Sequence, residues 1–303
     1  MVSPETLKDL ALEAGFDLTG FTRPPTAEER EQFSLEVGDR KARGFRPGQA
    51  YPWMDSWDLP PETRTIVVLG FNYYQEAPEE PPGETRTVIA RYLTGSCPAL
   101  IRKLRSFYRS LSILGITPLN HIGPSELPLK WLAQRAGMGW IGKNSLLVTR
   151  EFGSWVIWDA VLLAEELPAE VHPAQTGCAD CDDCLRACPT SALYEPYKLD
   201  PTRCFTFFSE TLAPMDAAWP IKNARLAFGC RVLGCDICQE ICPHNRAVQT
   251  PGDIADLPLH IDLRRFLEID DETYDREYRL TLWGIPRHRV ADMASLMLGT
   301  RTP

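Results

Sequence analysis

The stretch "CADCDDCLRACPTSAL", residues 178 to 193, places four cysteines within eleven positions and a proline directly after the fourth. Nine of the ten cysteines of the 303-residue chain lie between residues 178 and 242, and the residues before them hold only Cys97. Clustered cysteines form disulfides, bind structural zinc or hold iron–sulfur clusters. The spacing between the cysteines has to decide among these three.

The first motif has the spacing C-x2-C-x2-C-x3-C-P, which is the bacterial ferredoxin motif for [4Fe–4S] clusters. In such a motif three thiolates bind one cluster and the fourth binds a second cluster. A second motif, C-x2-C-x3-C-P at residues 235 to 243, lacks the first cysteine of a full run. Structural zinc favours two CxxC pairs around one tetrahedral site, and disulfides are rare in the cytosol. We therefore expect two [4Fe–4S] clusters.

The ferredoxin crossover distributes eight thiolates over the two clusters. For the first cluster we predict the ligands Cys178, Cys181, Cys184 and Cys242. For the second cluster we predict the ligands Cys188, Cys204, Cys235 and Cys238. Cys230 competes with Cys204 for the fourth place in the second cluster. We prefer Cys204 because it lies where the first cysteine of the second motif would fall, which leaves Cys230 as a buried free thiol.

The composition is that of an acidic globular protein. The formal net charge is −9 at pH 7, and 44% of the residues are hydrophobic. No stretch approaches the length of apolar sequence that a membrane span needs, and the N-terminal "MVSPETLKDLALEAG" lacks the basic start and apolar core of a secretion signal. We therefore predict a cytoplasmic protein with no membrane partner. A globally basic nucleic-acid-binding protein is excluded.

The hydrophobic patterns predict an α+β fold. Residues 3–15, "SPETLKDLALEAG", read as a capped helix, residues 63–74, "TRTIVVLGFNYY", as a buried strand, and the segment from residue 91 to 115 as a long helix. From residue 136 the pattern is a glycine-rich turn followed by two strands. The sharp change in cysteine content predicts three domains, which are residues 1–170, a double-cluster domain at 171–250 and a helical C-terminal segment at 251–303.

Two further stretches, combined with the cysteine spacing, resemble a known family. "AGMGWIGKNSLLVTREFGSW" at residues 136–155 and "GCDICQEICPHN" at residues 234–245 are similar to epoxyqueuosine reductases, and the likeness covers most of residues 5–245. It implies a nitroreductase-like cobalamin-binding domain fused to a bacterial-ferredoxin-like double [4Fe–4S] domain with a helical C-terminal segment. It also implies reduction of epoxyqueuosine to queuosine at the wobble position of tRNA, the last step of queuosine biosynthesis, with ferredoxin or flavodoxin as electron donor.

The glycine-rich turn is the candidate site for cobalamin. Glycines 137, 139 and 142 would let the backbone approach a large flat ligand closely, and ordinary turn and core packing is the alternative explanation. Trp158 stands where the family usually has a leucine near the corrin ring. The resemblance implies that the cofactor is contacted by Gly142, Lys143, Asn144, Leu147, Trp158 and Glu210.

The proton donor of the family is missing from this chain. The resemblance implies an aspartate in a D-x-G-P segment before the turn, whereas residues 121–133 read "HIGPSELPLKWLA". Aligning the Gly-Pro pair puts His121 at that position, and an imidazole can donate a proton near neutral pH. His121 is therefore our candidate catalytic acid, against a loop histidine bound by backbone or Glu126 as alternatives. The family's D-Y-H is also replaced, by residues 97–99, and we expect Cys97 to be a small buried residue.

Three functions stay open on these grounds. The first is a cobalamin-dependent epoxyqueuosine reductase acting on tRNA. The second is a related reductase of a small molecule, similar to reductive dehalogenases, which the missing aspartate and the acidic charge favour. The third is an electron-transfer module, which leaves the large first domain unexplained. Binding of tRNA requires cations along the phosphate path, and the candidates are Arg102, Lys103, Arg105, Arg264, Arg265, Arg287 and Arg289.

Overall fold

The computed structural model describes residues 2–42, 59–76, 86–122, 127–210, 231–251 and 257–299. The chain divides into two compact units. The first unit comprises Met1–Asn72 and Ile101–Cys181, and the second comprises Tyr73–Leu100 and Asp182–Pro303. None of the helices that the structure describes combines the length and the apolar character needed to cross a bilayer.

The first unit is built on a four-stranded antiparallel sheet, whose strands in spatial order are β1 (Leu18–Thr22), β2 (Thr65–Asn72), β7 (Val156–Leu163) and β4 (Asn120–Ile122). Strands β2 and β7 pair along their full length, from Thr65 opposite Leu163 to Asn72 opposite Val156. Every residue of β2 is buried, which explains its unbroken apolar run and confirms the predicted strand.

Four helices accompany this sheet along the chain: α1 (Pro4–Glu13), α2 (Ala27–Ala42), α3 (Ser96–Ile113) and α4 (Leu129–Arg135). Ser3 caps α1 as predicted, because its hydroxyl accepts a hydrogen bond from the backbone N–H of Thr6 at 3.1 Å. The predicted long helix starts later than expected. Residues Arg91–Thr94 form a separate 3-10 turn. Gly95, with φ +154°, separates this turn from α3.

A short hairpin precedes β7. It consists of β5 (Trp140–Ile141) and β6 (Leu147–Val148), with Trp140 opposite Val148. Three strands therefore follow the residues "AGMG", where the sequence pattern predicted two.

The second unit has a three-stranded sheet with β3 (Arg86–Ile89) in the middle. β10 (Arg231–Leu233) pairs with it in parallel and β11 (His260–Asp262) in antiparallel orientation. A small hairpin adds β8 (Leu193–Glu195) and β9 (Lys198–Leu199). The helices of this unit are α5 (Asp183–Ala187), α6 (Phe205–Glu210), α7 (Ile237–Glu240), α8 (Leu263–Glu268), α9 (Asp271–Glu277) and α10 (Arg287–Leu298). Apolar side chains from β3, β10, α6, α8 and α10 pack together into one hydrophobic core.

The two units do not follow the three consecutive ranges predicted from the sequence. Residues 73–100 belong to the unit that holds most of the cysteines, because β3 pairs with β10 and β11. The C-terminal helices belong to the same unit, since α10 packs on α8 and β10. The last of the three divisions along the chain falls between Cys181 and Asp182, inside the first cysteine motif. The mixed helix and strand content confirms the α+β class.

Candidate functional site

The two cysteine motifs contain the same local structure. Each places a short helix directly after a Cys-Asp pair: Asp182 precedes α5, and Asp236 precedes α7. In each, the aspartate carbonyl accepts the first backbone hydrogen bonds of the helix, from residues three and four positions later. Helices α5 and α7 pack against each other. The sequence duplication is therefore also a structural duplication, as expected for the ferredoxin arrangement.

Four cysteines of the second unit lie close enough together to interact electrostatically. Burial raises the pKa of Cys238 well above its ordinary value, and the thiolates of Cys235, Cys204 and Cys188 raise it further. Burial also raises the pKa of Cys204, with a contribution from Cys188, and it raises the pKa of Cys235 to about 12. These are the four residues predicted to bind the second cluster. Cys230 lies outside the described residues.

The chemistry of this donor set fits an iron–sulfur cluster. Four closely spaced, partly exposed cysteines whose thiolates would repel one another need a positive group between them in order to ionise, which iron supplies. The pKa of Cys188 shifts in the other direction. Burial raises this pKa, but hydrogen bonds from the Thr190 side chain and from the backbone N–H groups of residues 190, 192 and 193 lower it by more. Hydrogen bonds to ligand sulfurs are one of the means by which proteins set cluster potentials.

The described cysteines form no disulfide with one another. The described residues also contain no group of three or more His, Cys, Asp and Glu side chains placed to hold one metal ion. Each cysteine of a cubane binds a different iron atom, so its sulfurs need not converge on one point.

The four residues predicted for the first cluster fall on both sides of the division between the units. Cys178 and Cys181 belong to the first unit, where the N–H of Cys181 donates to the carbonyl of Cys178 at 3.0 Å. Cys184 and Cys242 belong to the second unit. This ligand set therefore stays a prediction from spacing.

The glycines of the turn are required by the packing of the protein itself. Gly137 has φ +75°, and a Cβ added to it would lie 2.7 Å from the ring of His172. A Cβ on Gly139 would lie 2.2 Å from the carbonyl oxygen of Val148, across the β5–β6 hairpin. A Cβ on Gly142 would meet the Asn144 side chain at 2.9 Å. Packing within the protein, the alternative explanation, therefore accounts for Gly137 and Gly139, while contact of the turn with a cofactor, including the contact at Gly142, stays a prediction.

The same turn packs against the chain that leads into the first cysteine motif. A Cβ on Gly177 would lie 2.2 Å from the indole ring of Trp140, so the backbone before Cys178 lies directly on that ring. The N–H of His172 also donates to the carbonyl of Arg135 at 2.9 Å. The predicted ligand Cys178 therefore follows a residue that packs on the turn which the sequence predicted for the cofactor.

The other predicted cofactor residues of the first unit form a polar turn beside an apolar wall. Lys143 and Asn144 are buried, and the Asn144 side-chain oxygen accepts from the N–H of Leu146 at 3.2 Å. Leu147 and Trp158 belong to one apolar cluster with α4, on one face of the sheet. An apolar wall with a few polar groups suits a corrin ring, which is flat and carries amide side chains at its edge.

Glu210 belongs to the second unit, at the end of α6. Its Oε1 is buried with no hydrogen-bond partner among the described residues, although the residue as a whole is half-buried. Burial, followed by the charge of Asp236, raises its pKa to about 8, so this carboxyl carries a proton at neutral pH. The oxygen lies 3.2 Å from a Cβ built on Gly234, directly before the second motif.

The candidate acid lies on an edge strand. His121 is the middle residue of β4, and its backbone pairs opposite Val161 of β7. The side chain of His121 and the whole of Glu126 lie outside the described part of the chain. Cys97 is half-buried on α3, and burial raises the pKa of its thiol.

The candidate phosphate-binding cations separate into three groups. Arg289 is buried and donates to the carbonyl of Ser209 at 3.2 Å, and Lys103 donates to the carbonyl of Gly15 at 2.6 Å, so both serve internal packing. Arg265 forms an ion pair with Glu277, and Arg287 forms one with Asp271. Arg102, Arg105 and Arg264 are exposed.

Arg91 is the residue that sequence reasoning missed. It is buried and makes ion pairs with Asp236 and Glu240 of the second motif. It lies within "IARYLTG", more than 140 positions earlier in the chain. The sequence contains no local feature that pairs it with Asp236, since β3 has first to pair with β10.

Comparison with known proteins gives a consistent result. Residues 177–245 match the family described as the 4Fe-4S double cluster binding domain. The epoxyqueuosine reductase of Synechococcus sp. (strain CC9605) is 31% identical over 298 residues, which cover 91% of this chain and 88% of that protein. A Synechocystis epoxyqueuosine reductase is 31% identical over 244 residues, 77% of this chain and 82% of that protein.

Solved structures of epoxyqueuosine reductases have the same fold as this chain. A crystal structure of selenomethionine-labelled epoxyqueuosine reductase superposes with a TM-score of 0.83 at 25% identity, covering 97% of this chain and 80% of that one. An epoxyqueuosine reductase bound to an epoxyqueuosine-modified tRNA-Tyr stem loop superposes with a TM-score of 0.80, at the same identity and coverage. From the extent of its identity to these proteins and its double-cluster motif, the chain belongs to the epoxyqueuosine reductase family.

Proposed function

We propose that the protein reduces epoxyqueuosine to queuosine in the anticodon loop of tRNA. The observation that carries the proposal is the 31% identity to the Synechococcus epoxyqueuosine reductase along 91% of this chain and 88% of that protein. The shared length includes both the double-cluster region and the large region before it. An electron-transfer module would need only the former.

Two [4Fe–4S] clusters would supply the electrons. The second would be held by Cys188, Cys204, Cys235 and Cys238, and the mutual effect of these four thiolates on their pKa values supports the set. The first would be held by Cys178, Cys181, Cys184 and Cys242, on the basis of spacing. Ferredoxin or flavodoxin would be the external donor.

Cobalamin is the proposed cofactor of the first unit. When bound, it would supply the low-potential reductive chemistry that removes the epoxide oxygen. The residues that would hold it there are Gly142, Lys143, Asn144, Leu147 and Trp158, which offer a polar turn and an apolar wall. Glu210, the remaining contact that the resemblance implies, belongs to the second unit and stays a prediction.

The proton for the released oxygen would come from His121. Its place on the edge strand β4 and its alignment with the family's aspartate support this role. Substrate tRNA would be held through its phosphates, and the exposed side chains of Arg102, Arg105 and Arg264 are the candidates for those contacts. A small-molecule substrate is disfavoured, because the relatives that match along most of the chain are named for epoxyqueuosine.

The reaction can be tested directly. Protein purified without oxygen and loaded with hydroxocobalamin is given dithionite and tRNA that carries epoxyqueuosine. Nucleosides from the digested tRNA are then separated by mass, and queuosine is expected to replace epoxyqueuosine. Omitting cobalamin is the matched control. Full loading with iron and cobalamin but no queuosine would contradict the proposal.

The acid is tested separately. The substitution His121→Ala is expected to lower turnover by about 10²-fold or more, as removal of a general acid does, while the iron content stays unchanged. His288→Ala, an exposed histidine on α10, is the control. Unchanged turnover in His121→Ala would exclude His121 and leave Glu126 as the candidate.

A further inference from the structure

We propose that Arg91 is a positioning residue for the second iron–sulfur cluster, and that its pairing with Asp236 sets the reduction potential of that cluster. The inference rests on the ligand set Cys188, Cys204, Cys235 and Cys238 proposed above. It assigns a role to the segment "IARYLTG", which the proposed reaction does not use.

The ion pair at the centre of this proposal is buried. Arg91 is 4% exposed and Asp236 is 3% exposed. The Nη1 of Arg91 donates to the Oδ2 of Asp236 at 3.1 Å, and the backbone N–H of Arg91 donates to the same oxygen at 2.9 Å. Asp236 directly follows the ligand Cys235 and lies two residues before Cys238. The charge of Arg91 is therefore fixed beside the loop that carries two of the ligands.

Further contacts connect the same segments. Arg91 Nη1 also donates to Glu240 at 2.8 Å, and Arg231 forms a second ion pair with Glu240. The Nε of Arg91 donates to the carbonyl of Gln75 at 2.7 Å. Two arginines and two carboxylates thus form a network with no net formal charge, and Arg91 also connects it to the backbone of Gln75.

Backbone pairing places residues 89–91 next to the second cysteine motif. β3 pairs with β10, with Ile89 opposite Leu233, and the N–H of Ala90 continues the pairing by donating to the carbonyl of Leu233 at 2.8 Å. At Gly234, which has φ +65°, an added Cβ would lie 2.5 Å from the Cβ of Ala90. The chain entering the second motif therefore lies directly against residues 89–91.

The charge of this network acts on the cluster. A cubane held by four thiolates is negative and becomes more negative on reduction, so nearby positive charge raises its potential and nearby negative charge lowers it. The pair is buried, so water screens its effect only weakly. Loss of the Arg91 charge would leave Asp236 and make reduction harder. Loss of the Asp236 charge would leave Arg91 and make reduction easier.

The test is whether the two single variants shift the reduction potential of one cluster in opposite directions. The variants Arg91→Gln, Asp236→Asn and the double variant are purified without oxygen and titrated with dithionite and mediators, with both cluster signals followed by electron paramagnetic resonance. We expect one of the two signals to shift to lower potential in Arg91→Gln and to higher potential in Asp236→Asn. The double variant should return toward the parent protein. Arg276→Gln, an exposed arginine on α9, is the control of equal charge change and should shift neither signal.

A purely structural role would change stability and iron content without this reversal of sign. If Arg91→Gln does not fold, Asp236→Asn and the double variant still carry the test. Unchanged potentials in Asp236→Asn with full iron content, or equal shifts of both signals, would overturn the proposal. Failure of the ligand set itself would be seen separately, as retention of both clusters in Cys204→Ser.

Discussion

Asp182 and Asp236 occupy the same place in the two cysteine motifs, yet their surroundings differ. Asp182 is half-buried, and the ion pair beside it, between Arg186 and Asp183, is exposed to solvent. Asp236 is buried and paired with Arg91. Burial raises the pKa of Asp236, and the Arg91 guanidinium opposes that rise. One repeated sequence thus provides two electrostatic environments, and we expect the two clusters to have different reduction potentials.

The largest effect is expected from the remote ligand of the second motif. Cys204→Ser should remove the second cluster, reduce the iron content by about half and abolish turnover, because a cubane needs its fourth thiolate. Iron and acid-labile sulfide analysis of protein purified without oxygen measures this. Cys230→Ser is the matched control and should keep both clusters. If the two variants exchange these results, Cys230 is the ligand.

The entry to the first motif provides the next test. Gly177→Ala would place a methyl group 2.2 Å from the ring of Trp140. We expect a loss of stability of about 1–3 kcal/mol from overpacking, together with partial loss of iron, since Cys178 is displaced. Thermal unfolding and iron analysis measure the two effects.

The control for Gly177→Ala is Gly115→Ala. Gly115 has φ +73° and no neighbour within 4 Å, so a substitution there introduces backbone strain alone, about 1 kcal/mol, and should leave the iron content unchanged. Full iron content in Gly177→Ala would show that the contact with Trp140 does not position the first ligand.

A smaller effect is expected from Glu210, beside the second motif. Its pKa in the folded protein is about 8, above the ordinary value of 4.5. The folded state therefore keeps a proton that the unfolded chain releases, and stability falls as pH rises through that window. Glu210→Gln removes this loss. Because Glu210 is only half-buried, we expect a modest effect: between pH 5 and pH 9, the free energy of unfolding of the variant should gain about 1–2 kcal/mol relative to the parent protein.

This prediction is measured as the difference in Tm between variant and parent across pH, on protein that retains its clusters. Glu268→Gln, an exposed glutamate on α8, should show no such trend. Parallel pH curves for Glu210→Gln and the parent would contradict the raised pKa.

Much of this arrangement could be predicted from the sequence. The cysteine spacing gave both motifs, because a cubane imposes a fixed local geometry on the chain. The buried strand β2 and the cap of α1 were predicted from local patterns and are confirmed. Such features depend on residues close to one another in the chain.

The features that escaped prediction depend on distant contacts. Arg91 meets Asp236 because β3 pairs with β10, and residues 73–100 join the second unit for the same reason. The packing of His172 on Gly137 and of Trp140 on Gly177 was not predicted either, because these rings come from other segments of the chain. Local patterns do not contain that information.

The central claim is that eight cysteines hold two iron–sulfur clusters that serve a reductase. Iron, acid-labile sulfide and zinc measured on protein purified without oxygen test it most directly. The account predicts about eight iron and eight sulfide ions per chain, as two [4Fe–4S] cubanes require. One zinc ion per chain with negligible iron and sulfide would contradict it.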